Sequence, residues 1–388
     1  MGFKVDNTID LTVLQIIPQL VSGGAERSTV DIAHTLVKEG HKALVISQGG
    51  HLVEELERVG AKHIAMPVAL KMPWTIYKNI SSIAEIIKNH KVNIVHCRSR
   101  APAWSAYYAA RRMGAKFITT YHGLYSEQSL FKKTYNGIMV KGDAIISVSD
   151  FITAELKKRY PDVTTKVHTV KRGINLSHFA PEHVTRQRIE QLIKSWGLVD
   201  DLRNVILLPG RITQLKGHMI LIDAVKELLK KRKDFVCVCP GDVHAGKDAY
   251  ADKVLAKIHK SQLDGYILLP GGCLDMPAAY AISNIVVAPS TKPESFGRIP
   301  IEAQLMGKPV VASSHGGFCE TIQDGETGFL FEANNPNALA HGLDKALSLK
   351  ETERVRMSSL GRKRVSELYS TERMCREVLS VYKAITRR

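Results

Sequence analysis

At 388 residues the chain is longer than one hydrophobic core usually supports, so two domains are the first expectation. A composition of 44% hydrophobic and 24% charged residues is that of an ordinary globular protein and argues against disorder, and no stretch approaches the roughly 18 uninterrupted apolar residues of a membrane span. The formal net charge of +16 asks for an anionic partner, and the first residues lack a basic segment followed by a long apolar one, so a cytoplasmic protein is expected.

In chain order, LTVLQII (11–17) reads as a strand, and a helix over 25–39 follows a Gly-Gly turn. Next come a strand at 43–47, a helix near 51–59, a strand at 63–67, and a helix over 75–89 with Ile76, Ile80, Ile83 and Ile87 on one face. A strand at 93–97, a helix at 101–113, and strands at 116–121 and 144–149 continue the alternation. Strand–helix alternation at this spacing means βαβ units and a parallel sheet covered on both faces. The rhythm weakens over 173–187, where a domain linker is expected. It restarts with strands at 204–210, 235–241, 266–272, 285–290 and 309–314, separated by helices at 217–231, 247–261, 276–283 and 299–306. The tail, 351–388, reads as helices alone.

Six cysteines form no CxxC pair, and Cys237 and Cys239 alternate with valine in FVCVC as one face of a buried strand, so reduced structural thiols are expected. The charge is uneven: residues 70–135 hold eleven Lys/Arg against Glu85 and Glu127, a net +9. That segment suggests a face for anionic lipid, a phosphorylated acceptor or nucleic acid, with scattered solvated lysines as the plain alternative. Its aromatics Trp74, Tyr77, Trp104, Tyr107 and Tyr108 read as easily as core residues.

In open α/β sheets ligands bind at the carboxyl ends of the strands, so the loops there carry the chemistry. Gly23 and Gly24 in VSGGAER let a helix N-terminus approach an anion or a hydroxyl-rich ligand. Arg211 and Lys216 in GRITQLKG, bracketed by glycines, form a candidate diphosphate clamp: a bidentate fork and a point charge. Gly241 in PGDVHAG and Gly271 and Gly272 in PGGC permit close approach of a base or ribose to the backbone. Asp275 reads as a helix N-cap. His122, in TTYHG at another strand end, is a candidate cleft residue. In PESFGRIPIEA (293–303), Glu294 lies in the loop and Glu302 in the first turn of the helix. Two acceptors at this spacing can hold two sets of hydroxyls on one extended ligand, with the free N–H groups around Phe296 and Gly297 donating back.

Taken in this order, SGGAE, YHG, GRITQLKG and the E-x7-E of Glu294 and Glu302 resemble the retaining nucleotide-sugar glycosyltransferases of family 4. The resemblance covers roughly residues 11–350. It implies an α/β chain of the GT-B fold, two doubly wound Rossmann-like domains facing a cleft. The expected division is 1–180 for the acceptor, 181–368 for the nucleotide sugar, and a C-terminal helix, 369–388, crossing back onto the first domain. The resemblance implies that Arg211 and Lys216 bind the donor diphosphate. Glu294, with the Phe296 and Gly297 backbone, holds the transferred sugar, Glu302 holds the ribose diol, and His122 contacts the donor sugar. Gly23 and Gly24 lie where diphosphate and acceptor meet, and Gly241, Gly271 and Gly272 lie toward the nucleoside. Retention needs no protein nucleophile, and no metal or cofactor is required beyond the NDP-sugar co-substrate. The implied activity is hexosyl transfer to a lipid-linked or envelope glycan such as lipopolysaccharide, at the inner face of the cytoplasmic membrane. The loops GDVHAG and PGGC depart from the family pattern, which leaves the nucleobase open.

Two other readings keep or abandon the fold. A sugar-nucleotide epimerase would turn over without an acceptor, and a phosphorylase of this fold would need a pyridoxal-phosphate lysine in a longer chain. A nucleic-acid-binding protein using the 70–135 face would need a module that the segment does not show.

Overall fold

The computed structural model describes residues 10–21, 23–127, 129–242 and 248–387. The chain divides into two compact units, one of residues 1–173 with 371–388 and one of residues 174–370.

In the first unit the strands are β1 (Thr12–Ile16), β2 (Lys42–Ser47), β3 (Lys62–Ala65), β4 (Ile94–Cys97), β5 (Lys116–Tyr121), β6 (Ala144–Ser147) and β7 (Val167–Thr169). They form one parallel sheet in the order β3-β2-β1-β4-β5-β6-β7. Every residue of β1 is buried, as a central parallel strand with helices on both faces requires. Its one polar residue, Gln15, is satisfied: Nε2 donates to Thr29 O at 3.0 Å. Leu36, Val45, Ile94 and Ile118 share a core with Met374, Val378, Tyr382 and Ile385 of the C-terminal helix Thr371–Thr386, so that helix is part of this unit. Tyr382 OH lies 2.6 Å from Nδ1 of the buried His96 on β4.

In the second unit β8 (Asn204–Leu207), β9 (Phe235–Val238), β10 (Ile267–Leu268), β11 (Ile285–Ala288), β12 (Val310–Ser313) and β13 (Phe329–Phe331) form a parallel sheet in the order β10-β9-β8-β11-β12-β13. Its core joins Ile206, Phe235, Cys237 and Val287 to the helices His218–Leu228, Asp248–Lys260 and Pro336–Leu347. The doubly wound α/β architecture expected from the alternation is what both units show.

Several expectations need correction. The strands β7 and β13, three residues each at sheet edges, and the helices Leu130–Gly137, Asp150–Arg159, Arg186–Ser195 and Pro336–Leu347 were not expected from the pattern. Trp74, Tyr77 and Tyr108 are 66%, 75% and 47% exposed and so are not core residues. Arg98, counted in the basic segment, is buried and offers no surface charge. Cys237 and Cys239 are buried free thiols, as their alternation with valine implied. Residues 243–246 of the expected GDVHAG loop lie outside the described residues.

Candidate active site

From β8 the chain of the second unit steps outward to β9 and β10, then returns beside β8 at β11 and runs the other way. The reversal splits the crossovers to either side and leaves a crevice at the carboxyl ends of β8 and β11. GRITQLKG leaves β8 there, and TKPESFG leaves β11.

The glycines set how closely these loops approach. Gly217, with φ 75°, ends a short turn over Gln214–Lys216, and a Cβ on it would sit 1.8 Å from Pro289 O. Only glycine lets that turn press on the end of β11. Thr291 N donates to Leu215 O at 2.9 Å and fixes the contact. The result brings Lys216 Nζ to 2.7 Å from Glu294 Oε1, with the two side chains 21% and 17% exposed. Ser290 Oγ donates to the same oxygen at 2.7 Å. Glu294 is therefore a carboxylate held by one cation and one hydroxyl, shielded from water, and arranged as an acceptor.

The loop after β12 completes this support. Gly317 N donates to Glu294 O at 2.8 Å, and a Cβ on Gly316 or Gly317 would fall within 2.6 Å of the Glu294 or Phe296 backbone. His315 Nε2 meets Ser290 O at 3.0 Å. The sequence reading missed Ser290, His315, Gly316 and Gly317, although PVVASSHGG carries the same strand-then-glycine signal used for the other loops.

Phe296 is buried edge-on against Tyr369, ring centroids 5.6 Å apart, so only its backbone is available to a ligand. Gly297, with φ 91°, caps the helix Arg298–Leu305, and a Cβ there would stand 2.6 Å from the Phe318 ring. Glu302 lies in the second turn of that helix, not the first: the helix begins at Arg298, one residue earlier than expected. Its carboxylate is bracketed, Oε2 by the buried Tyr280 hydroxyl at 2.8 Å and Oε1 by Arg298 Nη2 at 2.9 Å. Arg211 is exposed on the loop after β8.

The glycines toward β10 serve the protein's own loops. Gly210 N donates to Pro240 O at 3.0 Å and Gly241 N to Gly271 O at 2.8 Å. A Cβ on Gly241 would meet Gly210 O at 2.1 Å, and one on Gly272 would meet Asp242 Oδ1 at 2.1 Å. Gly271 faces open space with φ 85°. Asp275 is an N-cap, accepting from Ala278 N at 3.1 Å, and also takes the Arg188 fork at 2.6 and 2.7 Å.

In the first unit the corresponding reversal lies between β1 and β4. Gly23, with φ 142°, precedes the helix Gly24–Lys38, and the Glu26 carboxylate occupies the place a Cβ would take, 2.5 Å away. His122 follows β5. Its Nδ1 lies 2.9 Å from Arg172 Nη2, and its Nε2 is buried without a partner. Burial first, then the charges of Arg172 and Arg98 and the nearby His96, hold the imidazole well below its ordinary range, so it is neutral. Arg172 can only donate, so Nδ1 accepts and the proton lies on Nε2. Among the described residues no group of three or more His, Cys, Asp and Glu is placed to hold a metal ion.

The sequence of the second unit matches the family described as Glycosyl transferases group 1 over residues 189–364, and that of the first matches Glycosyltransferase Family 4 over residues 22–178. A crystal structure of a glycosyltransferase from Rickettsia africae ESF-5 is 39% identical, covers 97% of this chain and 98% of its own, and superposes with a TM-score of 0.88. The chain belongs to the family 4 glycosyltransferases. It is a GT-B transferase, and the two parallel sheets are the two halves of that fold. The lipopolysaccharide core biosynthesis mannosyltransferase LpcC of Rhizobium leguminosarum bv. viciae is 32% identical over 217 residues, 54% of this chain and 57% of LpcC. Anabaena HepE, solved in complex with UDP-glucose, shares the fold at a TM-score of 0.82 and 19% identity, covering 96% of this chain and all of HepE.

Proposed function

We propose that this glycosyltransferase moves a hexose from a nucleoside-diphosphate sugar to a lipid-linked or envelope glycan acceptor, of the lipopolysaccharide kind, with retention of configuration. The observation that carries the donor half is the Lys216–Glu294 pair at the β8–β11 crevice. Lys216 with Arg211 takes the diphosphate, Glu294 and the Phe296–Gly297 backbone take the sugar hydroxyls, and Glu302 takes the ribose diol. Gly271 leaves open space on the nucleoside side, while Gly241 and Gly272 shape the loops around it. Glu294 is neutralised by Lys216 and accepts from Ser290, which suits holding over attacking. The leaving diphosphate is stabilised by fixed cations, with no metal or cofactor needed. From the first unit His122 offers its Nε2–H to substrate, and Gly23 and Gly24 open the acceptor side. The UDP-glucose bound by HepE supports a nucleotide-sugar donor, and the core mannosyltransferase LpcC supports the acceptor class.

The acceptor side is proposed to work at the inner face of the cytoplasmic membrane. No described helix is long and apolar enough to cross a membrane. The exposed Trp74, Tyr77, Leu130 and Phe131 in the first unit stand in the same segments as Lys71, Lys78, Lys132 and Lys133, which suits the interfacial layer of an anionic bilayer. Co-sedimentation with anionic but not neutral vesicles at low salt is expected; no binding to either removes the membrane part of the reading.

Thermal-shift screening against UDP-, GDP- and ADP-sugars tests the donor site, with product analysis on the stabilising donor. Stabilisation by one class is expected, with release of the nucleoside diphosphate dependent on acceptor. Turnover of donor alone to an isomeric sugar nucleotide would replace the reading with an epimerase.

A further inference from the structure

Arg98, following β4, is a buried cation whose hydrogen bonds leave its charge unanswered. It is 4% exposed. Nη1 donates to Gln15 Oε1 at 3.3 Å and Nη2 to Ser28 Oγ, both neutral oxygens, while Nε has no partner. The carboxylates of Glu26 and Asp31 act on it only through space. A guanidinium taken out of water without a paired anion is costly, and the two Nη contacts explain its position but not its charge.

His122 supplies a second unpartnered donor. With Nδ1 accepting from Arg172, the ring presents a buried Nε2–H that meets nothing. Arg98 and His122 line one cavity of about 20 Å³ whose other polar members are Ser28, Thr120 and Arg172, the rest of its wall being apolar side chains. That is room for a single oxygen. A water molecule there would bring two protons of its own and leave the charge unneutralised. An oxygen of an anionic group accepts from both donors and supplies the missing counter-charge.

We propose that this cavity is an oxyanion subsite in which one oxygen of a phosphoryl group seats between Arg98 Nε–H and His122 Nε2–H. Arg172 acts as a positioning residue, holding the imidazole in the tautomer that donates. The subsite adds Arg98 to the substrate-binding residues, and its place in catalysis rests on the transferase reading above.

The test is a side-chain ¹⁵N–¹H NMR titration of His122 in the full-length protein, with inorganic phosphate as probe at constant ionic strength. In the wild type, Nδ1 is expected unprotonated and Nε2 protonated, with a saturable phosphate-induced shift of the Nε2–H signal. Arg98→Lys keeps the charge but removes the Nε–H, and is expected to weaken that response about tenfold or more. No response in the wild type, a proton on Nδ1, or an unchanged response in folded Arg98→Lys overturns the proposal. The wild-type titration decides alone if Arg98→Lys does not fold.

Competition identifies the source. Displacement of phosphate by UDP assigns the oxyanion to the leaving diphosphate, and displacement by neither UDP nor UDP-glucose assigns it to the acceptor. Displacement by UDP-glucose but not by UDP means that a neutral hydroxyl fills the cavity, which overturns the proposal. Loss of the phosphate response with a retained donor thermal shift defeats the subsite alone. A retained response without any donor shift defeats the donor-site reading alone.

Discussion

Lys216 Nζ and Glu294 Oε1, 78 residues apart in sequence, meet at 2.7 Å because Gly217 lets one loop press on the strand that launches the other. The pair is neutral as a whole, so neither charge is left buried alone before donor binds. Lys216 retains further N–H donors for a phosphate, and Glu294 retains lone pairs for hydroxyls.

Lys216→Ala is expected to lower kcat/KM roughly ten- to hundredfold, about 1.5–3 kcal/mol, with the circular dichroism spectrum unchanged. Glu294→Ala should do the same. Because the residues touch, the double variant should lose less than the two single losses combined. Steady-state kinetics on the four proteins checks this, and additive losses would separate the two residues functionally.

Tyr280→Phe removes the hydroxyl that holds Glu302 Oε2 and leaves the carboxylate to Arg298 alone. A stability loss of about 1.5–3 kcal/mol is expected, as for a hydrogen bond to a buried charged group. If Glu302 reads the ribose diol, the variant should also lose preference for UDP over 2′-deoxy-UDP. Denaturant midpoints and calorimetric affinities for the two nucleotides measure both effects.

Gly217→Ala is expected to be severe. The alanine Cβ would overlap Pro289 O, and φ 75° is unfavourable for any side chain. A loss of roughly 2 kcal/mol or more, with activity falling alongside, is expected from thermal unfolding and assay. Gly40→Ala serves as a control: its φ of 82° carries the strain, but no atom lies within 4 Å of the added methyl.

Acid should destabilise the protein below the ordinary histidine range. Burial holds His96 and His122 well below that range and brings His218 down to about 4. These groups bind protons near pH 6.5 when unfolded but only at lower pH when folded. Stability from them is therefore fully present above about pH 6.5 and falls as pH drops through the window between the unfolded and folded values. Urea unfolding across this window should show His218→Gln losing part of the slope.

Much of the fold could be read from sequence because central parallel strands are buried on both faces. KFITTY and FVCVC announce themselves as continuous apolar or β-branched runs, and β5 spans the expected 116–121. The edge strands β7 and β13 did not announce themselves: three residues with one covered side carry too little pattern. Trp74 and Tyr77 stayed open between core and surface for a different reason, since an aromatic at helical spacing has the same letter whether it faces the core or water; the structure exposes both.

The sequence by itself determined the alternation of strands and helices, the glycines at strand ends, and which loops carry cations and carboxylates. Those features are local, fixed by hydrophobic period and by backbone conformations that only glycine adopts freely. Tertiary structure decided the partners. It put Lys216 on Glu294, bracketed Glu302 between Tyr280 and Arg298, and turned Arg98 from a surface charge into a buried one beside His122. Contacts between residues tens of positions apart depend on sheet order and on close backbone approaches such as that of Gly217 to Pro289 O, and neither is encoded in any single window of the chain.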